Sequence, residues 1–352
     1  MNNMIEREMI FENDGLRLAG VLRSPDHPSG RVPGVLLIHG SLEQDRDGNI
    51  LHHPDGRPVF KKNFFLEISK RLCNAGFATF SWDQRGCGRS EGPSHGYNVF
   101  ARARDAKAAL DAFSSQVDVI DPDRIAVLGQ SAGVYTACLL AREDSRPCAY
   151  VLQGGLYRDY EEMMAFNYAR VANYAEKNRQ NLEWAEENDI WGLAVGTHLA
   201  EITEAAKEGR RDCLVCHKDR SWWLGLDPLL YTHKYAPSTM FKYIDKPTLI
   251  VHGDCDLNVP VEDAFLIERD LKQKGNQNVE RAIIYRADHS FQEAPTDRDL
   301  RLRERMSLEC FRRPYREEYF QAVTVFLEKF FQQSEESFKG QNMSINYGSK
   351  IE

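Results

Sequence analysis

RIAVLGQSAGVYTACLLAR, residues 124–142, joins an unbroken apolar run to a helical segment through a turn that holds one serine. The run Ile125 to Leu128 has no polar face, as expected of a strand buried on both sides of a parallel sheet. Ala132 to Arg142 reads as a helix that starts at once. Between them, Gly129-Gln130-Ser131-Ala132-Gly133 places Ser131 where the backbone must take a strained conformation and lift its hydroxyl above the sheet. The flanking glycines remove side chains that would clash with neighbouring elements. The same turn aims the Ala132 amide and the positive end of the helix at any developing oxyanion.

On both sides of this stretch the chain alternates between buried strands and helices. Upstream, Met9 to Leu22 contains two strand-like runs about Asp14-Gly15, a dipeptide suited to a tight hairpin. A loop rich in Pro, Gly and Ser leads into GVLLIHG, and Phe60, Phe64, Ile68 and Leu72 follow at helical spacing, with Gly76 as a stop. FATFSW is the next strand and Ala101 to Phe113 the next helix. AYVLQGG, PTLIVHG and ERAIIY supply further strands, and a last amphipathic helix is expected from about Tyr315 to Phe331. Such alternation predicts an α/β fold with a mostly parallel central sheet and helices on both faces.

The alternation stops after Gly155. From Leu156 to about Phe241 the apolar residues are scattered among charges at spacings that helices use, and no strand-like run is evident. The expected organisation is a core of residues 1–155 and 242–334, an inserted helical cap or lid over 156–241, and a flexible polar tail over 335–352.

The function classes that composition disfavours are those requiring basic or membrane-spanning surfaces. The chain has 352 residues and a formal net charge of -8, which repels phosphate backbones and anionic lipid. Neither nucleic acid nor a membrane is an expected partner. No apolar stretch approaches the roughly 18 residues of a spanning helix, and MNNMIEREMIFEND lacks the basic and apolar regions of a secretory signal, so a cytoplasmic location is expected. The eight cysteines are sparse for a disulfide scaffold, and Cys73, Cys138 and Cys148 sit in apolar runs as small core residues. The sequence carries no signal for or against an oligomer.

A serine hydroxyl needs a base, normally histidine, which in turn needs an orienting carboxylate. Two downstream loops offer them. HGDCDLNVP, residues 252–260, follows the strand PTLIV, and ADHSF, residues 287–291, follows AIIY. Both fall at the carboxyl ends of strands, the edge of an open parallel sheet where ligands bind. His289 is favoured as the base by position; His39, His198, His233 and His252 are rivals, and His39 and His252 precede glycine in sheet-end turns as structural residues would. Asp254 and Asp256 are both available as the acid.

These motifs, in the order IHGS, the run Ser81 to Ser90 (SWDQRGCGRS), GQSAG, HGDCDLNVP and ADHSF, resemble the α/β-hydrolase superfamily. The likeness covers Gly34 to Gly155 and Lys246 to Phe291 and is strongest to bacterial carboxylesterases and serine aminopeptidase-like hydrolases with a helical cap. The resemblance implies the α/β-hydrolase fold and a Ser-Asp-His order along the chain. Its D-x-x-V-P ending implies Asp256 as the orienting acid, with Asp254 bracing the loop, and it implies Ser41, or Leu42 if the loop is shifted, beside Ala132 as oxyanion donor. The implied activity is hydrolysis of a carboxylic ester of a small acyl substrate through an acyl-enzyme, without metal or cofactor. A thioesterase, lactonase or peptidase with the same triad, or a non-catalytic ligand-binding relative, are the alternatives.

Other motifs are expected to serve structure. Asp83 and Arg85 satisfy a tight turn whose Gly86 and Gly88 allow its geometry. The charged loop Glu43 to Gly48 is either solvated surface or pocket rim. Cys213-Leu-Val-Cys-His217 matches haem-attachment or half-zinc spacing but has no second ligand pair nearby, so no metal is expected. Trp184, Trp191, Trp222 and Trp223 in the inserted segment are candidates for lining an apolar substrate pocket.

Overall fold

The computed structural model describes residues 4–28, 30–93 and 99–345, apart from the side chains of residues 231–234 and 333–345. Its ten strands are β1 (Met4–Asn13), β2 (Leu16–Pro25), β3 (Val32–Ile38), β4 (Ala78–Trp82), β5 (Ile120–Gln130), β6 (Ala149–Gln153), β7 (Asp212–His217), β8 (Arg220–Gly225), β9 (Thr248–Gly253) and β10 (Val279–Ile284). Eight of them form one sheet in the order β1-β2-β4-β3-β5-β6-β9-β10. From β4 to β10 all pairings are parallel, while β1 and β2 form the antiparallel edge. Their hairpin turns on Asp14 (φ 51°) and Gly15 (φ 73°), the two left-handed residues that a tight primed turn demands.

Alternate residues of each central strand feed two separate cores. Leu36, Ile38, Val127 and Leu152 pack on one face against the helices Val99–Ser114, Ala132–Glu143 and Glu262–Gln273. Val35, Leu37, Leu128 and Val151 pack on the other against Phe64–Asn74 and the first turns of Glu317–Ile345. Both faces being covered is why these strands read as continuous apolar runs. The helix expected to include Phe60 begins at Phe64, and the last helix continues past Phe331 to Ile345. Residues 346–352 of the expected tail lie outside the described residues.

Between β6 and β9 the chain forms the helices Tyr160–Ala175, Arg179–Asn188, Ile190–Thr197, Leu199–Lys207 and Asp227–Lys234. The first three are capped by side chains of Asp159, Asn178 and Asp189, each accepting from the amide three residues on. The all-helix expectation fails at β7 and β8, which pair as an antiparallel hairpin. Cys213 and Val215 point inward onto Ile202 and Leu226, but the outward residues Leu214 and Trp223 are apolar too and are 47% and 71% exposed. Alternation is therefore invisible in the sequence, and the two-residue turn at Lys218-Asp219 carries no glycine. Among the described residues no helix is long and apolar enough to cross a membrane.

Candidate active site

Ser131 sits between β5 and the helix Ala132–Glu143 with φ 52° and ψ −119°, a conformation that non-glycine residues rarely adopt. Its amide is tied to Gln153 O on the neighbouring strand at 2.8 Å. The two glycines of the motif have separate reasons. A Cβ on Gly133 would lie 2.4 Å from Ile38 O and 2.7 Å from His39 O, and one on Gly129 would lie 2.6 Å from Gly133 O. Backbone is the obstacle in each case, so the helix can begin this close to β3 and β5 only without those side chains.

The turn after β3 stands beside Ser131. Gly40 is close enough that a Cβ there would be 3.2 Å from Ser131 Cβ. Its path is held by Gln44 Nε2 donating to Ser41 O at 2.6 Å and by Arg102 donating to Gly40 O at 2.6 Å, and Leu42 takes φ 66°. The amides of Ser41 and Ala132 have no acceptor among the described residues, which leaves both available to an oxygen atom on a ligand. His39 is structural: it is buried against Phe65 and Trp82, its Nε2 meets Asp45 O at 3.2 Å, and burial pulls its pKa down to about 3, so the ring is neutral.

Asp256 and His289 meet directly. His289 Nδ1 lies 2.6 Å from Asp256 Oδ2, and the other oxygen, Oδ1, accepts the amides of Asn258 at 2.6 Å and Val259 at 3.0 Å. Asp254 does not hold His289; its buried Oδ1 has no hydrogen-bond partner among the described residues, and its side chain accepts from Cys255 in the same loop. His252 also reaches Asp256 Oδ2, at 3.1 Å, and its Nε2 is 3.2 Å from Val259 O. Burial favours the uncharged acid, but His289 and His252 outweigh it and hold the Asp256 carboxyl well below the usual carboxylate range. For His252 burial opposes the charge, and Asp256 more than offsets it and raises the pKa. The neighbouring Asp288 accepts the amides of Ser290 and Gln292 and shapes the turn under His289, while burial pushes its pKa up to about 6.

Ser131 and His289 line one cavity of about 960 Å³ that also reaches Ser41 and Ala132. Ser131 Oγ and His289 Nε2 form no hydrogen bond in this structure. The inserted segment contributes Trp191, Trp222 and Trp223 to the cavity wall, whereas Trp184 packs away from it beside Val171 and Leu193, with Arg303 over its ring.

A family model described as Hydrolase_4, serine aminopeptidase, S33, matches residues 61–293. The chain belongs to this family. It is a hydrolase with the α/β-hydrolase fold. Among solved structures it is similar to that of ferulic acid bound to Est1E from Butyrivibrio proteoclasticus, with 19% identity, a TM-score of 0.53 and coverage of 87% of this chain and 98% of that one. The esterase Pf2001 of Pyrococcus furiosus is 18% identical, with a TM-score of 0.54 and coverage of 93% and 90%. The acylaminoacyl peptidase of Pyrococcus horikoshii is 15% identical at a TM-score of 0.52, covering 88% of this chain and 40% of that one. At these identities the likeness concerns the fold. Among curated proteins none matches the chain.

In this serine aminopeptidase family member the remaining motifs resolve physically. Asp83 is buried and accepts the Arg46 and Arg89 amides and the Arg46 guanidinium, and a Cβ on Gly88 would lie 2.4 Å from it. Arg85 pairs with Asp105 and Asp14 rather than locally, tying the β1–β2 turn to a helix. The loop Glu43 to Gly48 is thereby anchored by Arg46 instead of floating in solvent, while Glu43 and Gln44 reach the cavity. Cys213 is buried and Cys216 exposed, on opposite faces of β7, so their thiols do not converge. His198 and His217 pair with Glu201 and Glu186, and the His233 side chain lies outside the described residues. His53, Asp55 and Asp189 are grouped closely enough to hold an ion, but Arg57 contacts all three and its guanidinium occupies that position.

Two residues outside the expected triad also bear on His289. His252, expected to be structural from its place before Gly253, is buried, yet it shares Asp256 with His289; its spacing of four residues before Asp256 is the signal the sequence offers. Gly154, at φ +58°, follows β6, and a Cβ there would be 3.0 Å from His289 Cε1. Gly154→Ala is expected to push the imidazole aside and lower kcat by about 10- to 100-fold with little change in KM. It should also destabilise the fold by about 1 kcal/mol through the left-handed backbone. Steady-state kinetics and denaturant unfolding of the variant check both.

Proposed function

We propose that the protein cleaves a carboxylic ester by two-step acyl transfer with Ser131 as nucleophile, His289 as general base and Asp256 as its orienting acid. The reading rests most on one observation: an imidazole locked at 2.6 Å onto a buried carboxylate shares a cavity wall with a serine held at positive φ. Ser131 Oγ bonds to the carbonyl carbon as its proton passes to His289 Nε2. The Ser41 and Ala132 amides receive the oxyanion, each contributing about 3 to 4 kcal/mol in the transition state. The carbon–oxygen bond then breaks, and the alcohol departs with the proton from His289. Water repeats the sequence to release the acid and restore the serine. Asp256 keeps the proton of His289 on Nδ1, so that Nε2 can accept. The inserted segment roofs the cavity, and its Trp191, Trp222 and Trp223 favour an apolar portion of the substrate.

Ester is preferred over amide because its leaving group demands least of the acid, and similar structures include esterases; thioester, lactone and peptide bonds need the same three groups. A fluorophosphonate is expected to label the wild-type protein at Ser131 and to leave Ser131→Ala unlabelled. Absence of labelling in the folded wild type would favour a ligand-binding protein without turnover.

A further inference from the structure

The cavity wall carries two arginines without a carboxylate. Arg301 and Arg305 lie four residues apart on the helix Arg298–Ser307, hence on one face of it, and both line the cavity. Arg305 Nε donates to Asn258 Oδ1 at 2.9 Å and Nη2 to Asn167 Oδ1, while its Nη1 is buried with no acceptor. The Nε of Arg301 is buried and has none either. Neither guanidinium forms an ion pair among the described residues.

The other cations of the wall have oxygen partners: Lys62 donates to Ser290 Oγ, and Arg102 to Gly40 O and Leu42 O. Arg57 pairs with Asp189 and Arg85 with Asp105. The cavity's acids are likewise engaged: Glu304 by Arg313, Glu293 by Arg286, and Asp288 by two backbone amides. Glu43 belongs to the other loop, following Ser41. Arg170, above the Phe166 ring, is held below its usual pKa by burial and then by Arg305, with Asp256 opposing and Arg301 and Arg298 adding to the effect, so a third cation faces the pair without cancelling it. Buried guanidinium N–H groups with nothing to bond are unfavourable, and the deficit is removed when a planar oxyanion arrives. The position is close to the chemistry, since Asn258, which accepts from Arg305, also donates its amide to Asp256.

We propose that Arg301 and Arg305 form an anion subsite, and that the substrate is an ester carrying a free carboxylate. The placement of this group beside the reacting bond rests on the function proposed above; the subsite itself does not. Two matched pairs test it: the 4-nitrophenyl hemiester of glutaric acid against 4-nitrophenyl valerate, and 3-acetoxybenzoate against phenyl acetate. Wild type is expected to favour at least one acidic member over its neutral partner by tenfold or more in kcat/KM. Arg301→Gln and Arg305→Gln should each reduce that ratio at least fivefold, and Arg305→Lys should retain part of it. A ratio near one for both pairs, or a ratio unmoved in both glutamine variants, overturns the proposal. If no ester is cleaved, the hydrolytic reading fails and binding decides the subsite. Calorimetry of glutarate and 3-hydroxybenzoate with Ser131→Ala should then detect carboxylate binding that weakens at least fivefold when Arg305→Gln is added. No binding of either acid, or binding indifferent to that substitution, overturns it.

Discussion

His289→Ala is expected to lower kcat for ester hydrolysis by about 10,000- to 1,000,000-fold, the range seen when one member of a serine-base unit is removed, with KM changed only a few-fold. Neither His39 nor His252 can take over. His39 is neutral, buried and committed to Asp45 O, and His252 has no exposed surface and is bound to Asp256 and Val259 O. Without a base, Ser131 keeps its proton at neutral pH, and the free amides of Ser41 and Ala132 can only stabilise the oxyanion of a much slower water attack. The check is single-turnover and steady-state kinetics on an activated ester. Retention of more than about a tenth of the wild-type kcat would mean that a different group removes the proton, and the assignment of His289 would fall.

Asp256→Asn is expected to cost about 10,000-fold in kcat. The reason is specific to this carboxylate. Oδ1 accepts two backbone amides, and Oδ2 meets two imidazoles. An asparagine must put its NH2 group on one side or the other. Toward Asn258 and Val259 it opposes two donors; toward the histidines it forces His289 to accept at Nδ1, which moves the ring proton to Nε2 and leaves nothing to receive the Ser131 proton.

The same substitution should change the pH dependence of stability. The Asp256 carboxyl is held below its ordinary value of 3.8, so its contribution is fully present above about pH 4 and is lost as pH falls from there through the lowered value. His252 is raised above 6.5, so its contribution is present below that pH and lost as pH rises past it. The unfolding free energy of wild type minus Asp256→Asn is therefore expected to be largest between about pH 4 and 6.5 and to shrink on either side. A difference that stays constant from pH 3 to pH 8 in denaturant titrations would show that the two histidines do not stabilise the acid.

What was legible in the sequence was whatever local physics or chain order dictates. Ile125 to Leu128 could only be a doubly buried strand, and Gly129 follows from backbone crowding within five residues, whereas Gly133 is required by the remote Ile38 O and His39 O. HGDCDLNVP and ADHSF could be placed at strand ends because apolar runs precede them. The hairpin β7–β8 escaped because its outward Leu214 and Trp223 erase the period-two signal. The last helix escaped in part because apolar periodicity ends near Phe331 while helical hydrogen bonding continues.

By itself the amino-acid order determined the layered α/β core and the loops able to carry the chemistry, since burial pattern and turn geometry are short-range properties of neighbouring residues. Only the tertiary structure decided that Asp256 is shared by His252 and His289, that Gly154 opens the space for the imidazole, and that Arg301 and Arg305 reach the cavity without counterions. Those facts depend on which side chains from remote segments come within about 3 Å of one another. Such proximity is set by the packing of whole elements, and no single segment encodes it.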